Sequence, residues 1–343
     1  MMRLIILARV VLARVVFSRA LSLLAAMTFF AVPGIAGAAA PDDYPPPWPS
    51  ADVTFTVPYS PGSEAETLFA LIRQGFERNT GKKLVARNVP GRAGADAWAR
   101  LVDDAPDGSV LTAVAIPDIF LRALQPDSGV SPDAMAVCHV IAYMPCVLWT
   151  AGPGALGSLD AFTEAAHEGI GTLLVSGPGS FSIGQVAART IDRELGVRTS
   201  YIPYSDTVTA ARAALTGKTR AFWGYSVPVT VEGAHASAFK PLAVAARERL
   251  ASLPDVPTFR ELGIDFTRGL FLGVAVPLDT PDITREEIDE FFVEFAASPE
   301  FRTSAVEAGF VPQAMDTASL PVFFTEMRTN ARKMVDNNEL HRR

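Results

Sequence analysis

The chain has 343 residues, 49% of them apolar and 20% charged, enough for two domains with separate cores and unlike the composition of a disordered protein. Its formal charge of −7 argues against a nucleic-acid partner, which demands a basic face. Four histidines (His139, His167, His235, His341) fall in no close-set metal pattern, so neither a metal nor a cofactor is expected.

Residues 1–40 carry Arg3, Arg9, Arg14 and Arg19 and no acid, then an apolar run broken by Pro33-Gly34 that ends in small residues. Ala36-Gly37-Ala38 and Ala38-Ala39-Ala40 both fit a cleavage site, so this segment reads as a secretory signal peptide rather than an uncleaved anchor. Its removal takes the formal charge from −7 to −11, and no other apolar run approaches membrane-spanning length. The expected product is a soluble, exported protein. Residues 41–51, PDDYPPPWPSA, form a proline-rich lead-in expected to be extended and mobile.

Strand and helix signals then alternate. A strand at 52–57 leads through PYSPGS to a helix at 64–79, whose apolar positions Ala65, Leu68, Phe69, Ile72 and Phe76 recur at helical spacing before Gly81 ends it. A strand at 83–89, the loop PGRAG, a short helix near 96–102, a turn at 106–108 and a strand at 109–116 follow. Farther on, a strand at 172–175, the loop SGPGS, a helix at 182–196, a strand at 199–203, a helix at 206–215 and a strand at 220–225 repeat the pattern. Helices at 284–297, 299–308 and 319–336 close the chain. This alternation predicts α/β architecture with largely parallel sheets, and two strand-loop-helix runs predict two lobes. The stretch CHVIAYMPC between Cys138 and Cys146 reads as extended, which favours two buried thiols over a bridge.

The two loops sit where α/β proteins bind ligands, at strand C-termini facing helix N-termini. Ser63 with Glu66, and Ser182 with Gln185, have capping-box spacing, so each serine has a purely structural reading as the cap of its own helix. Two such loops facing each other would also line a cleft with backbone donors suited to a carboxylate. Nucleophile chemistry finds little support. Gly224-Tyr225-Ser226-Val227-Pro228 has proline where a nucleophile elbow needs glycine, and Gly217-Lys218-Thr219 lacks the first glycine of a P-loop.

Taken in order, these motifs resemble the Bug/TctC family, the periplasmic substrate-binding proteins of tripartite tricarboxylate transporters. The resemblance runs through VTFTVPYSPGSEAE (53–66), RNVPGRAG (87–94), APDGSVL (105–111), VSGPGS (175–180), IPYSD (202–206), LASLPDVPTFRELG (250–263) and GVAVPLDTP (273–281). It implies a two-lobed periplasmic-binding-protein (Venus flytrap) fold with two crossings between lobes: 52–147 plus 268–343 as lobe 1, and 148–267 as lobe 2. It also implies that the two loops grip a ligand carboxylate. By position the site would be Tyr59, Pro61, Gly62, Ser63 and Glu66 from one lobe, and Ser176, Gly179, Ser180, Tyr204 and Ser205 from the other. Trp223 and Tyr225 share a strand face and form either core or a wall of the cleft.

Several positions depart from the family. Ser63 stands for a glycine and would be strained if that glycine needs positive φ. Glu66 replaces an aspartate, Ile183 a common histidine, Asp206 a glycine, and Arg220 an acid. The resulting expectation is a monomeric, non-enzymatic solute-binding protein for a small carboxylate, serving integral membrane transporter subunits or, alternatively, a membrane sensor. The competing reading is an exported hydrolase using Ser226 or Ser180.

Overall fold

The computed structural model describes residues 47–340 except 153, 169–171, 314, 316–318 and 338–339. The expected leader and the start of the lead-in lie outside these. The end of the lead-in is fixed rather than mobile. Trp48 packs edge-on against Phe76 and Phe291, its indole N–H donates to the Gly108 carbonyl at 2.8 Å, and its backbone N–H to Glu287 Oε2 at 2.9 Å.

The first half of the chain runs β1 (Val53–Val57), α1 (Glu64–Thr80), β2 (Leu84–Asn88), α2 (Ala95–Arg100), β3 (Val110–Ile116), α3 (Asp118–Ala123) and β4 (Met135–Ala151). Next come α4 (Leu159–Glu168), β5 (Leu174–Pro178), α5 (Ile183–Glu194), β6 (Ser200–Tyr204), α6 (Thr207–Leu215), β7 (Ala221–Tyr225) and β8 (Phe239–Val244). The chain ends with β9 (Gly269–Pro277), α7 (Asp282–Ala297), α8 (Pro299–Glu307), β10 (Val311–Pro312) and α9 (Leu320–Asp336).

The strands hydrogen-bond in the order β2-β1-β3-β9-β4-β7-β5-β6, with β8 and β10 also on β4. Two parallel groups, β2-β1-β3 and β7-β5-β6, flank a centre in which β9, β4, β8 and β10 run antiparallel to their neighbours. The expected parallel character therefore holds only on the flanks, since β9 and β4 pair antiparallel with β3, with each other and with β7. The result is a two-lobed α/β fold.

The strand β4 takes part in both sheets. Met135–Pro145 pairs with β9, and Cys146–Ala151 pairs with β7 and β8. Proline has no N–H for a ladder, and Pro145 stands where the partner changes. There its carbonyl accepts from Ser226, while Cys146 donates to Arg268 and accepts from Ala245. Both cysteines are free and buried, as their extended segment predicts, and burial pushes the Cys138 thiol up to about 12.

The helices bury the faces their spacing predicts. Ala65, Leu68, Phe69, Ile72 and Phe76 of α1 are all buried, and Gly81 closes it at φ +68° with its N–H on the Glu77 carbonyl. That left-handed geometry is what a glycine C-cap supplies.

Candidate functional site

The loop after β1 turns at Gly62, which has φ +86°, so the chain enters α1 with Ser63 extended at φ −75°. The serine that replaces a family glycine therefore carries no strain; the positive φ falls one residue earlier. Ser63 Oγ accepts from the Glu66 N–H. Glu66 folds back, but its Oε2 takes the N–H of Gly62 rather than that of the cap, while the Ser63 N–H goes to the Ser60 carbonyl. Pro61 is exposed, and Tyr59 is buried edge-on against Trp98.

The loop after β5 follows the same plan. Here the strand extends to Pro178, past the predicted end at 175, because Gly177 and Pro178 pair with Pro203 and Tyr204. Gly179 and Phe181 take φ +60° and +51°, and Ser182 caps α5 by accepting from the Gln185 N–H at 3.2 Å. Gln185 Oε1 in turn takes the Phe181 N–H at 2.9 Å, the same one-residue offset as Glu66 to Gly62. The Gly179 N–H donates to the Tyr204 carbonyl, and its own carbonyl accepts from the Tyr201 and Ser182 hydroxyls.

The loops meet across the lobe junction through carboxylates of the protein itself. Asp118 Oδ1, at the start of α3, accepts the first helical N–H of α5, that of Ile183, at 2.8 Å. In the other direction Asp206, which caps α6, accepts at Oδ2 from both the N–H and the hydroxyl of Ser60. The Ser205 carbonyl accepts from Ala93, and the Gly62 carbonyl from Thr230, each at 2.8 Å. Thr207 lies close enough to Glu64 for its side chain to favour the ionised carboxylate.

Of the residues singled out by sequence, Tyr59, Gly62, Ser63, Glu66, Gly179, Tyr204, Ser205 and Tyr225 surround this junction, with Pro61 at its exposed edge. Ser180 is half-buried beside Gly179. Two others point elsewhere. Ser176 is buried beneath α6, bonded to the Ala210 carbonyl and the Thr219 hydroxyl. Trp223 is core, stacked on Phe259 and edge-on to Phe266. Arg220 reaches outward to the Gly154 carbonyl, a solvated strand-edge charge.

The junction is buried and charged. Burial raises the Glu64 carboxyl to about 8, aided by the Asp206 charge and opposed by its own hydrogen bonds. Burial also lifts Asp118 to about 6, against the pull of Arg122 and the Ile183 amide. The Tyr59 and Tyr225 phenols are pushed well above their usual range, first by burial and then by neighbouring acids. Three side chains here hold buried polar atoms without a partner: Glu64 at Oε1, Tyr225 at its hydroxyl, and Arg122 at Nε and Nη2.

Arg122 is the residue that motif reading misses. Its one signal is a lone arginine in the apolar run AIPDIFLRAL, four residues after Asp118. That spacing ordinarily marks an exposed helix ion pair.

The nucleophile candidates are otherwise engaged or unassisted. Ser226 is fully buried and donates to the Gly309 carbonyl at 2.7 Å. His139 pairs with Asp289 inside the first lobe. Among the described residues no group of three or more His, Cys, Asp or Glu could hold a metal ion.

A two-lobed α/β protein whose paired loops meet at the interlobe junction has the architecture of a solute-binding receptor. The chain belongs to the tripartite tricarboxylate transporter family receptors, TctC, whose family model matches residues 68–340. It is 25% identical over 277 residues to the UPF0065 protein in the TAR-I ttuE-ttuC' intergenic region of Agrobacterium vitis, covering 79% of each chain. Among solved structures it resembles the periplasmic binding protein BugD, with TM-score 0.77 at 18% identity over 86% of this chain and all of that one. It also resembles MatC of Rhodopseudomonas palustris with bound malate, with TM-score 0.74 at 24% identity over 84% of this chain and all of the other. A second R. palustris protein, with adipate, superposes with TM-score 0.78 at 21% identity over 84% of this chain and 97% of its own.

Proposed function

We propose that this chain is a periplasmic, non-enzymatic receptor that captures a small carboxylate-bearing metabolite between its lobes and presents it to the membrane subunits of a tripartite tricarboxylate-type transporter. The observation that carries this reading is the convergence of both helix-capping loops on one buried polar junction. The lobes would comprise 52–147 with 268–343, and 148–267; the change of β4 partners at Pro145–Cys146 and the Arg268–Cys146 bond support crossings near those positions. The N-terminal segment would direct export and be removed. That two structural neighbours are seen with malate and adipate supports a small carboxylate as the ligand.

Closure would work by differential affinity, since a ligand favours the closed form only by binding it better than the open one. The buried donors would be assembled only when the lobes meet, so an anion bound there would gain contacts on closing. The test is thermal unfolding of the mature chain against small carboxylic acids, each paired with its amide. A ligand at 100 times its dissociation constant should add about 2.7 kcal/mol without being consumed. Absence of stabilisation by any acid, or turnover of carboxylic esters at enzymatic rates, would overturn the reading.

A further inference from the structure

Among the described residues Arg122 is the only lysine or arginine classed as buried, at 2% exposure. Arginine stays charged at any pH at which proteins fold, so it cannot shed its charge on burial, whereas Glu64 becomes neutral by keeping its proton. A buried charge persists only with a partner of opposite sign and acceptors for its hydrogens. Arg122 has a single bond from Nη1 to Gln125, long at 3.4 Å, while Nε and Nη2 meet no acceptor. Those two atoms form one edge of the guanidinium fork, whose spacing matches the two oxygens of a carboxylate.

The surroundings show where that edge lies. A Cβ built on Gly179 would overlap Nη2 and the Ala93 side chain, so the guanidinium is seated directly against the second-lobe loop. Asp118, Tyr201, Tyr59 and Tyr225 are all close enough to act on its charge. Asp118 does not neutralise it by contact; its Oδ1 is directed to the Ile183 N–H. Tyr201 donates to the Gly179 carbonyl, whereas the Tyr225 hydroxyl is unpartnered.

Four loop amides that could otherwise receive an anion are already bonded. Gly62 gives its N–H to Glu66, Phe181 to Gln185, Ile183 to Asp118 and Gly179 to Tyr204. What the junction leaves unmatched is a cation edge, a phenol and Glu64 Oε1, whose carboxyl burial raises to about 8 and so keeps neutral at lower pH.

We propose that Arg122 is the ligand-recognising cation of this receptor, taking a ligand carboxylate in a two-point bond through Nε and Nη2 with the Tyr225 hydroxyl as a further donor. The proposal rests on the receptor reading above and adds the residue that selects for charge. The four bonded loop amides then shape the junction, and the charge selectivity comes from Arg122.

The experiment compares native protein with Arg122→Met and Tyr225→Phe by calorimetric titration and thermal shift. The probes are straight-chain, hydroxy and aromatic mono- and dicarboxylic acids of two to eight carbons, malate and adipate included, each with its amide, plus inorganic phosphate. Native protein should bind at least one acid and discriminate against its amide. Arg122→Met should weaken that acid by about 30-fold or more, the loss typical when one partner of a buried charged hydrogen-bonded pair is truncated. Amide binding should stay unchanged. The ligand-free Met variant should melt no lower than native, because it removes an uncompensated charge; an arginine that only braced the fold would show a fall. Tyr225→Phe deletes one oxygen and should cost about 5- to 10-fold. It decides the matter should the Met variant fail to fold.

Acid affinity within threefold of native in Arg122→Met would overturn the assignment and leave the receptor reading standing. So would unchanged affinity in Tyr225→Phe if that variant alone folds. Stabilisation by phosphate in place of every acid would overturn the carboxylate class, and no binding by native protein would remove both readings.

Discussion

The loops after β1 and β5 are built alike and charged differently. Each turns through a positive-φ residue, caps its helix with a serine, and sends the third helical side chain back to the N–H just before the cap. In the first lobe that side chain is Glu66, an anion at the positive end of α1; in the second it is neutral Gln185. The second loop obtains its carboxylate from across the junction, at Asp118, and the first receives a second one from Asp206. The contrast teaches that helix N-termini in this protein organise the loops and tie the lobes together. Recognition of an outside anion then passes to Arg122.

The largest break in this symmetry should come from Gly179→Val. The residue has φ +60°, and any Cβ would collide with Arg122, so binding of the acid should fall at least about 100-fold. Circular dichroism should still report a folded protein. Unchanged affinity by calorimetric titration would show that the second loop does not border the ligand.

The next effect concerns pH. Glu64 ordinarily ionises near 4.5 but is lifted to about 8 here, so below 4.5 it is protonated in both the folded and unfolded chains. Above that the unfolded chain releases the proton while the folded one retains it, so stability drains away as pH rises through about 8. Glu64→Gln should remove this slope, on the order of 3 kcal/mol between pH 5 and 8. Asp118, raised to about 6, leaves a smaller fall of the same sign at lower pH. Parallel Tm-against-pH curves for native and variant protein would remove Glu64 from the account.

Asp206→Ala deletes both the α6 cap and the bonds to Ser60, and should cost about 2 kcal/mol in urea unfolding. It should also loosen the first-lobe loop, read as faster amide exchange at Ser60. A loss no larger than that of a simple surface substitution would mean that the interlobe bond contributes nothing.

The smallest effect separates the two caps. Ser63→Ala and Ser182→Ala should each cost about 1 kcal/mol. The Ser63 variant should lose less at neutral pH, because Glu66 still favours the helix terminus electrostatically. Equal losses at low and high salt would argue against a charge-based difference.

Much of this was legible in the chain, for physical reasons that can be named. The face of α1 follows from the spacing of Ala65, Leu68, Phe69, Ile72 and Phe76, and both caps from serine three residues before Glu66 and Gln185. The antiparallel centre was not, because a buried apolar strand such as β4 reads the same whichever way its neighbours run. Ser176 lies in a loop-like SGPGS string, yet pairing with β6 extends the strand and turns its hydroxyl into the core beneath α6. Arg122 escapes because spacing alone cannot separate an exposed helix pair from a short helix buried around its turn. Of the six residues of α3, five are buried.

The strand β4 carries a mechanical implication. It passes unbroken from one sheet partnership to the other, so rotation of either lobe must be absorbed as twist and bend within that single strand and the nearby start of β9. Proline fixes one of the two torsions at Pro145, and Gly269 opposite it packs so tightly on the Met144 carbonyl that no Cβ would fit. If the lobes close as proposed, the joint would act as a torsion spring with one coordinate locked, and its remaining compliance would set the path of the swing.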